Sequence, residues 1–533
     1  MKIAVEGCAH GELEKIYDTI AYLEQKEGVK VDLLICCGDF QSTRNTQDLE
    51  CMAVPIKYRD ICTFYKYYSG EKIAPILTIF IGGNHEASNY LSELAYGGWV
   101  APNIYYLGYA GVIQVAGIRI AGLSGIFKGR DFKMGHFEKA PFSSSSMRSV
   151  YHIRNLEVFR LKQISGKLDI ALSHDWPRGV CHHGNMKQLL RFKPFFEEDI
   201  KNNILGSQPA EELLNLLKPT YWFSAHLHCK FSALIRHISE DDADTTSTKF
   251  LALDKCLPKR RFLQILNIPH DEDKEIALEY DLEWLSILSL TNHLLSVKQT
   301  QNYMPGPGGN GRWMFTPTKE EKDLILKKFA DNLKIPTNFI RTVQAYDSSS
   351  SSGHEHGHGQ PTAQLNPQTT FFCDLLGIDD PIALLLKEEG NFQSVELPLY
   401  STNAVSCLNQ PVPHNTLPEV ERIGGDDSDR IEAASSKPTL HGMKLPSPKL
   451  SGLVLPPPTH KEEDLPLEDS LNEFDTVQEK ESRLNPEPSA ENPIIESRTP
   501  AESDVVNSGQ GPLAKKFKRR NQALYSSTDN DDV

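Results

Sequence analysis

Three observations in the sequence predict a mixed α/β chain with a long disordered tail. Short apolar runs alternate with helical patterns through the first 230 residues. Most of those runs end in a cluster of Gly, Asp, Asn, His or Cys. The composition then changes sharply after Tyr346. The last 187 of 533 residues hold 19 of the 33 prolines, seven of the 46 aromatics, and 31 Asp+Glu against 15 Lys+Arg. The first 346 carry 41 Lys+Arg against 40 Asp+Glu, so the net charge of −15 belongs to the tail. A segment that polar buries too little apolar surface to offset its ordering entropy.

The elements follow in chain order. Residues 3–5 form a short apolar run that stops at Gly7. Leu13, Ile16, Tyr17, Ile20 and Leu23 then recur at helical spacing. Residues 31–37 (VDLLICC) and 75–81 (PILTIFI) read as buried strands, the first ending in Gly38-Asp39 and the second in Gly82-Gly83-Asn84-His85. Residues 112–123, with Gly111, Gly117 and Gly122, read as hairpin-like strands. Residues 168–173 run into His174-Asp175. A helix over 211–217 is stopped by Pro219, and 221–224 run into Ala225-His226-Leu227-His228. Strands alternating with helices predict layers around mostly parallel sheets.

Residues 237–346 predict a smaller α-rich module, with edge strands at 250–253 and 262–268 and a helix over 280–295. Thr318 and Glu321 give a capping box before another helix. The glycine-rich loop 305–311 lacks the Lys-Ser/Thr of a phosphate-binding loop. The tail opens on a serine run and a His cluster at 354–358. Its one apolar island, 371–386, is a candidate to dock back.

Several classes are excluded at this level. No run of about 18 apolar residues predicts a membrane span. The N-terminal apolar run meets Glu6 at once, which is no secretory signal. Ten cysteines without a CxxC pattern fit a reduced compartment better than a disulfide framework.

Cys8-x-His10, Gly38-Asp39, Gly83-Asn84-His85-Glu86, His174 and His226-x-His228 all follow apolar runs. The carboxyl ends of strands in an open α/β sheet are where ligands gather. His, Asp, Asn and Cys are transition-metal ligands, and seven such residues suit two ions sharing a carboxylate. Taken singly, each has a plainer reading: a hydrogen-bonded histidine, a small buried thiol, a turn asparagine.

This order of motifs resembles the calcineurin-like metallophosphoesterases, whose pattern is D-x-H, G-D-x-x-D, G-N-H-D/E, H and G-H-x-H. The chain departs from it at Cys8, Ser42 and Ala225. Cys8 in the first motif, GDFQSTRN at 38–45 and LSHDWPRG at 172–179 are similar to the lariat-debranching members of that family. The resemblance implies a helix-flanked metallophosphoesterase β-sandwich over 1–236. It further implies a debranching-enzyme C-terminal domain over 237–346, or on to about 386, and a disordered acidic tail over 347–533. It implies that Cys8, His10, Asp39 and His228 hold one divalent ion. Asp39 as a bridge, with Asn84, His174 and His226, holds the other, and His85 is left free to protonate a leaving oxygen. A soft thiolate favours Fe²⁺ or Zn²⁺ over Mg²⁺, with Mn²⁺ able to substitute, and the ion would keep the thiol ionised. The implied reaction is hydrolysis of the 2′–5′ phosphodiester at the branch point of excised intron lariats.

Residues 124–154 carry six Lys and Arg against two acids, with Phe127, Phe132, Phe137, Phe142 and Tyr151 interleaved. Basic groups neutralise phosphates and aromatics stack on splayed bases. The resemblance makes this stretch the lariat recognition loop, with Ser124, Lys128, Arg130, Tyr151 and Arg154 as RNA contacts. The alternative is a basic surface loop whose Phe residues pack inward. Residues 515–520 (KKFKRR) read as a nuclear localisation signal in the acidic tail, and the tail as a docking segment for splicing or intron-turnover proteins. No DNA or membrane partner is expected. Two rivals stay open: the same fold acting on another phosphoester such as a phosphoprotein, and a scaffold without turnover.

Overall fold

Strand β1 (Lys2–Glu6) lies inside a sheet, and every strand that carries a motif lies near it or in the sheet beside it. In this computed structural model, residues 1–237, 246–348 and 359–388 are described. The first sheet also holds β2 (Leu33–Cys36), β3 (Leu77–Phe80), β4 (Gly98–Ala101) and β5 (Ile104–Tyr106). The second holds β6 (Ala110–Val115), β7 (Ile118–Leu123), β8 (Ile170–Ser173), β9 (Tyr221–Ser224), β10 (Phe231–His237) and β11 (Thr246–Ala252). Two later strands complete them: β12 (Leu263–Asn267) joins the first sheet and β13 (Leu278–Tyr280) the second. The strand orders are β12-β1-β2-β3-β5-β4 and β10-β11-β9-β8-β7-β6-β13.

The central pairings are parallel, as predicted. Ile3 lies opposite Leu33 and Ile35 opposite Ile79 in the first sheet; Leu123 lies opposite Ser173 and Leu172 opposite Phe223 in the second. Leu33, Leu34, Ile35 and Cys36 are all buried, which is why their run is continuously apolar rather than alternating. The helix Leu13–Glu27 buries Leu13, Ile16, Tyr17 and Ile20, the residues that carried its periodicity. The hairpin expected over 112–123 is β6 and β7, antiparallel. Thr318 and Glu321 make the capping box, each side chain bonding the other's backbone N–H.

Three expectations change. Residues 250–253 are not an edge: β11 sits between β9 and β10, because the chain leaves β9 through β10 and returns inside it. The helix expected over 280–295 runs Leu282–Leu290, started by Asp281, whose side chain accepts the Trp284 N–H at 2.9 Å. Disorder from 347 onward is corrected over 359–388, which contain the helices Pro367–Leu376 and Pro381–Glu388. The apolar island gives these residues something to bury: Phe372, Cys373 and Leu376 join the core of the second sheet. The Gln368 side chain bonds both the N–H and the C=O of Trp99 on β4, at 2.9 Å each. The His cluster at 354–358, the remaining tail and the basic hexamer lie outside the described residues.

Candidate metal centre

The loops after β1, β2, β3, β8 and β9 meet where the two sheets come together. Cys8, His10, Asp39 and His228 place one donor atom each within 4.8 Å of one another. On the other side of Asp39, His174 Nε2 lies 3.2 Å from Oδ1. The rings of His174 and His226 are 5.0 Å apart. Asp39 Oδ1 also accepts the backbone N–H groups of Asn84 at 2.9 Å and His85 at 2.8 Å. The other six ligand positions read from the sequence therefore gather about the Asp39 carboxylate.

The backbone explains the glycines beside the ligands. A Cβ at Gly38 would lie 2.3 Å from His174 Nδ1, and one at Gly83 would lie 2.3 Å from the Asp39 backbone nitrogen. Neither contact is sterically possible, so the loops close this tightly only without side chains there. Four of the ligand residues themselves have left-handed backbone: His10 (φ 45°), Asp39 (φ 45°), His226 (φ 59°) and His228 (φ 49°). Non-glycine residues rarely adopt this region, and it collects at functional sites. The His10 N–H donates to the Asp39 carbonyl at 2.6 Å and the Gly11 N–H to the Phe40 carbonyl at 3.1 Å, binding the first two loops together.

The site's charges suit bound cations. Burial pushes His10 down to about 4, His226 to about 3 and His228 to about 2, against an opposing pull from Asp39. All three are neutral imidazoles with a lone pair to give, the state metal ligation needs. His174 Nδ1 lies 2.7 Å from the Cys37 carbonyl. Donation there leaves Nε2 facing Asp39, whose carboxylate raises the imidazole above its ordinary value against burial, so a proton holds the place a cation would take. Burial opposes ionisation of Asp39, but His174, His85 and His10 hold its carboxyl well below the usual range. Burial, then Asp39 and Glu6, pushes the Cys8 thiol well up; a cation among these donors reverses that balance. His10 Nε2, His174 Nε2, His228 Nε2 and Asn84 Oδ1 are buried without a hydrogen-bond partner. Orphaned acceptors converging on a carboxylate and a thiol fit a pair of divalent ions.

His85 stands at the rim, its side chain 24% exposed and Nδ1 3.6 Å from Asp39 Oδ2. The sequence reading gives its neighbour Glu86 no role. Glu86 is 2% exposed and accepts three N–H groups, from Phe40, Gln41 and Gly83, each at 2.8 Å. It thus ties the Asp39 loop to the Asn84 loop. Burial, with Asp39 adding, pushes its carboxyl up to about 7 against those three bonds. The fourth position of Gly83-Asn84-His85-Glu86 was the signal available for it. Ser42, where the family pattern has an acid, is fully buried with no partner for its hydroxyl.

The recognition-loop residues divide. Lys128 and Arg130 are exposed, and the Lys128 charge reaches His226. Tyr151 is partly buried; burial, with Asp39 adding, pushes its hydroxyl up to about 12, against Arg148. Ser124 is used internally: its Oγ accepts the Gly82 N–H at 3.0 Å and donates to the Gly108 carbonyl at 2.6 Å. Arg154 faces inward, 1% exposed, bonding Glu138 at 2.6 Å and the carbonyls of Gly135, Ser149 and His152. Its guanidinium holds the loop's shape rather than meeting solvent. The loop's Phe residues pack inward too. Phe142 is buried, and Phe127 and Phe132 lie against the core of the second sheet.

Comparison with known proteins agrees with this geometry. Residues 1–230 match the calcineurin-like phosphoesterase family, and 245–381 match the lariat debranching enzyme C-terminal domain. The chain is 49% identical to the lariat debranching enzyme of Drosophila melanogaster, covering 99% of both chains. It is 47% identical to that of Homo sapiens, over 99% of this chain and 98% of the human one. The Arabidopsis thaliana enzyme is 43% identical, over 81% of this chain and all of its own. A donor cluster at Asp39, with likeness over nearly the whole chain to animal enzymes and over 81% of it to a plant one, places this chain in the lariat debranching enzyme family of calcineurin-like phosphoesterases.

Proposed function

We propose that this chain is a metal-dependent RNA phosphodiesterase that opens excised intron lariats. It hydrolyses the 2′–5′ phosphodiester at the branch point and releases linear RNA for turnover. The convergence of six metal-competent residues on Asp39 carries the reading, in a chain that matches lariat debranching enzymes over its full length. Cys8, His10, Asp39 and His228 would hold one ion, and Asp39, Asn84, His174 and His226 the other. Bound there, divalent ions supply Lewis-acid stabilisation of the phosphate charge and a water acidic enough to ionise near neutral pH. The Cys8 thiolate favours Fe²⁺ or Zn²⁺, with Mn²⁺ as a substitute.

The chain's own groups do the rest. Asp39 orients the Asn84 and His85 backbones through Oδ1, which holds the His85 imidazole at the rim of the site. From there His85 gives its proton to the departing 2′ oxygen. Lys128 and Arg130 neutralise phosphates of the branched strand, and Tyr151 offers its ring to a base. The 515–520 hexamer supports nuclear import, and the acidic tail supports docking of splicing or intron-turnover proteins. Among the described residues no helix is long and apolar enough to cross a membrane.

The test compares a synthetic branched RNA with a matched linear 3′–5′ RNA, each incubated with protein and Fe²⁺, Zn²⁺ or Mn²⁺. Cleavage only at the 2′–5′ bond, lost in His85→Ala, is expected. Cleavage of neither RNA by metal-loaded protein overturns the reading in favour of a phosphoprotein substrate or a scaffold.

A further inference from the structure

The outer end of the recognition loop is clamped to the C-terminal module by main chain. The Gly135 N–H donates to the Lys298 carbonyl at 2.9 Å, and the Asn302 N–H to the Lys133 carbonyl at 2.6 Å. Met134 and Gln301 form an antiparallel bridge. The Asn155 side chain donates to the Asn302 carbonyl at 2.6 Å. The approach is close enough that a Cβ at Gly135 would lie 2.1 Å from the Ser296 carbonyl oxygen. This clamp fixes the relation between Lys133, on the loop, and Tyr303, on the module. The Lys133 ammonium sits 5.0 Å from the centre of the Tyr303 ring, which is 65% exposed. The Tyr303 hydroxyl donates to the Gln301 side chain, which holds the ring's orientation.

We propose that Tyr303 and Lys133 form a stacking platform for one single-stranded arm of the branched RNA. The inference rests on the debranching reading above. A branched RNA has three strands leaving one nucleotide, so strands must cross the surface outside the metal centre. Lys128, Arg130 and Lys133 on the loop and Lys298 on the segment clamped to it are all exposed, and the Lys128 charge reaches His226. An exposed aromatic ring paired with a cation, among other exposed basic groups, is the arrangement that binds unpaired bases without reading their sequence. The main-chain clamp supplies what a flexible side chain lacks, a fixed ring at a fixed distance from the reaction. The C-terminal module thereby takes part in holding substrate.

The experiment uses full-length metal-loaded protein and two substrates, a branched trinucleotide and a branched RNA with long arms. Tyr303→Ala is expected to shrink the kcat/KM advantage of the long-armed RNA about tenfold, and Tyr303→Trp to restore it. Lys133→Gln is expected to lower the salt slope of binding by about 0.7. A second readout needs no turnover. With 2-aminopurine placed in each arm in turn, His85→Ala protein quenches the probe in one arm, and adding Tyr303→Ala removes the quench. No quench in any arm, or equal loss on both substrates, overturns the platform. Failure of wild type to cleave the branched trinucleotide overturns the debranching reading instead, and the quench still decides the platform. A partner protein protecting Tyr303 in place of RNA would appear as an unquenched probe.

Discussion

The backbone N–H of His226 donates to Cys8 Sγ at 3.3 Å. The first and last motifs, 218 residues apart, are therefore joined through the sulfur before any ion is bound. Removing that sulfur changes both the donor set and the seat of His226. Cys8→Asp is expected to shift bound metal from Zn²⁺ or Fe²⁺ towards Mn²⁺, and Cys8→Ala to lose about one ion per chain. Elemental analysis of purified protein checks both, and unchanged metal identity in Cys8→Asp would refute the softness argument.

His85 lies at the rim beside Asp39, outside the Cys8, His10, Asp39 and His228 cluster, and the proposed function makes it the proton donor. His85→Ala should lower single-turnover cleavage by a factor on the order of 10² to 10⁴ while metal content stays at the wild-type level. Parallel loss of metal would move His85 into the ligand set.

Glu86 acts through three backbone donors. Glu86→Ala leaves buried N–H groups of Phe40, Gln41 and Gly83 unpaired, at about 1–3 kcal/mol each. Glu86→Gln keeps a neutral acceptor and should cost less. Denaturant unfolding of the two variants should rank them in that order, with metal affinity falling in parallel.

Arg154 and Lys128 make opposite predictions. Arg154→Ala breaks a buried pair with Glu138 and should cost about 3–5 kcal/mol of stability. Lys128→Ala should leave the fold intact and reduce the salt dependence of RNA binding. Thermal melts and titrations at several salt concentrations separate the two roles.

Metal-free protein should lose stability in mild acid. His10, His226 and His228 resist protonation in the fold, to about 4, 3 and 2, while their unfolded counterparts take up protons near 6.5. Below about pH 6.5 these three histidines make the unfolded state bind more protons, so they take stability away as pH drops from about 7 to about 5, partly offset by Glu86, which burial raises to about 7 in the fold. His226→Asn should flatten that fall in urea titrations of chelated protein.

The seven candidate ligands and His85 stood out because each motif follows an apolar run, and a strand's carboxyl end leaves little freedom in where the next residue points. Glu86 was named in its motif but given no role, because accepting backbone N–H groups leaves no mark in residue spacing beyond that fourth position. Arg154 misled for a related reason: a charge count does not tell an outward guanidinium from one enclosed by carbonyls. The apolar pattern of β1, β2 and β3 gave their burial, but β11 was misplaced because strand order depends on how the chain returns. Long-range partners such as Tyr303 for Lys133 have no local signal.

The position of β1 bears on how the protein is made. β1 is made before the other described strands, yet its antiparallel neighbour β12 ends at Asn267, and β13, at the edge of the second sheet, ends at Tyr280. Until those residues appear, the strand leading to Cys8 has one open flank, a template for wrong pairing between nascent chains. Synthesis of the first 236 residues therefore cannot finish the first sheet. Every donor of the cluster at Asp39 is made by residue 228, but β1, which leads to Cys8, gains its second neighbour only with β12, so a stall between His237 and Leu263 would leave a product with its donors present and its sheet unclosed.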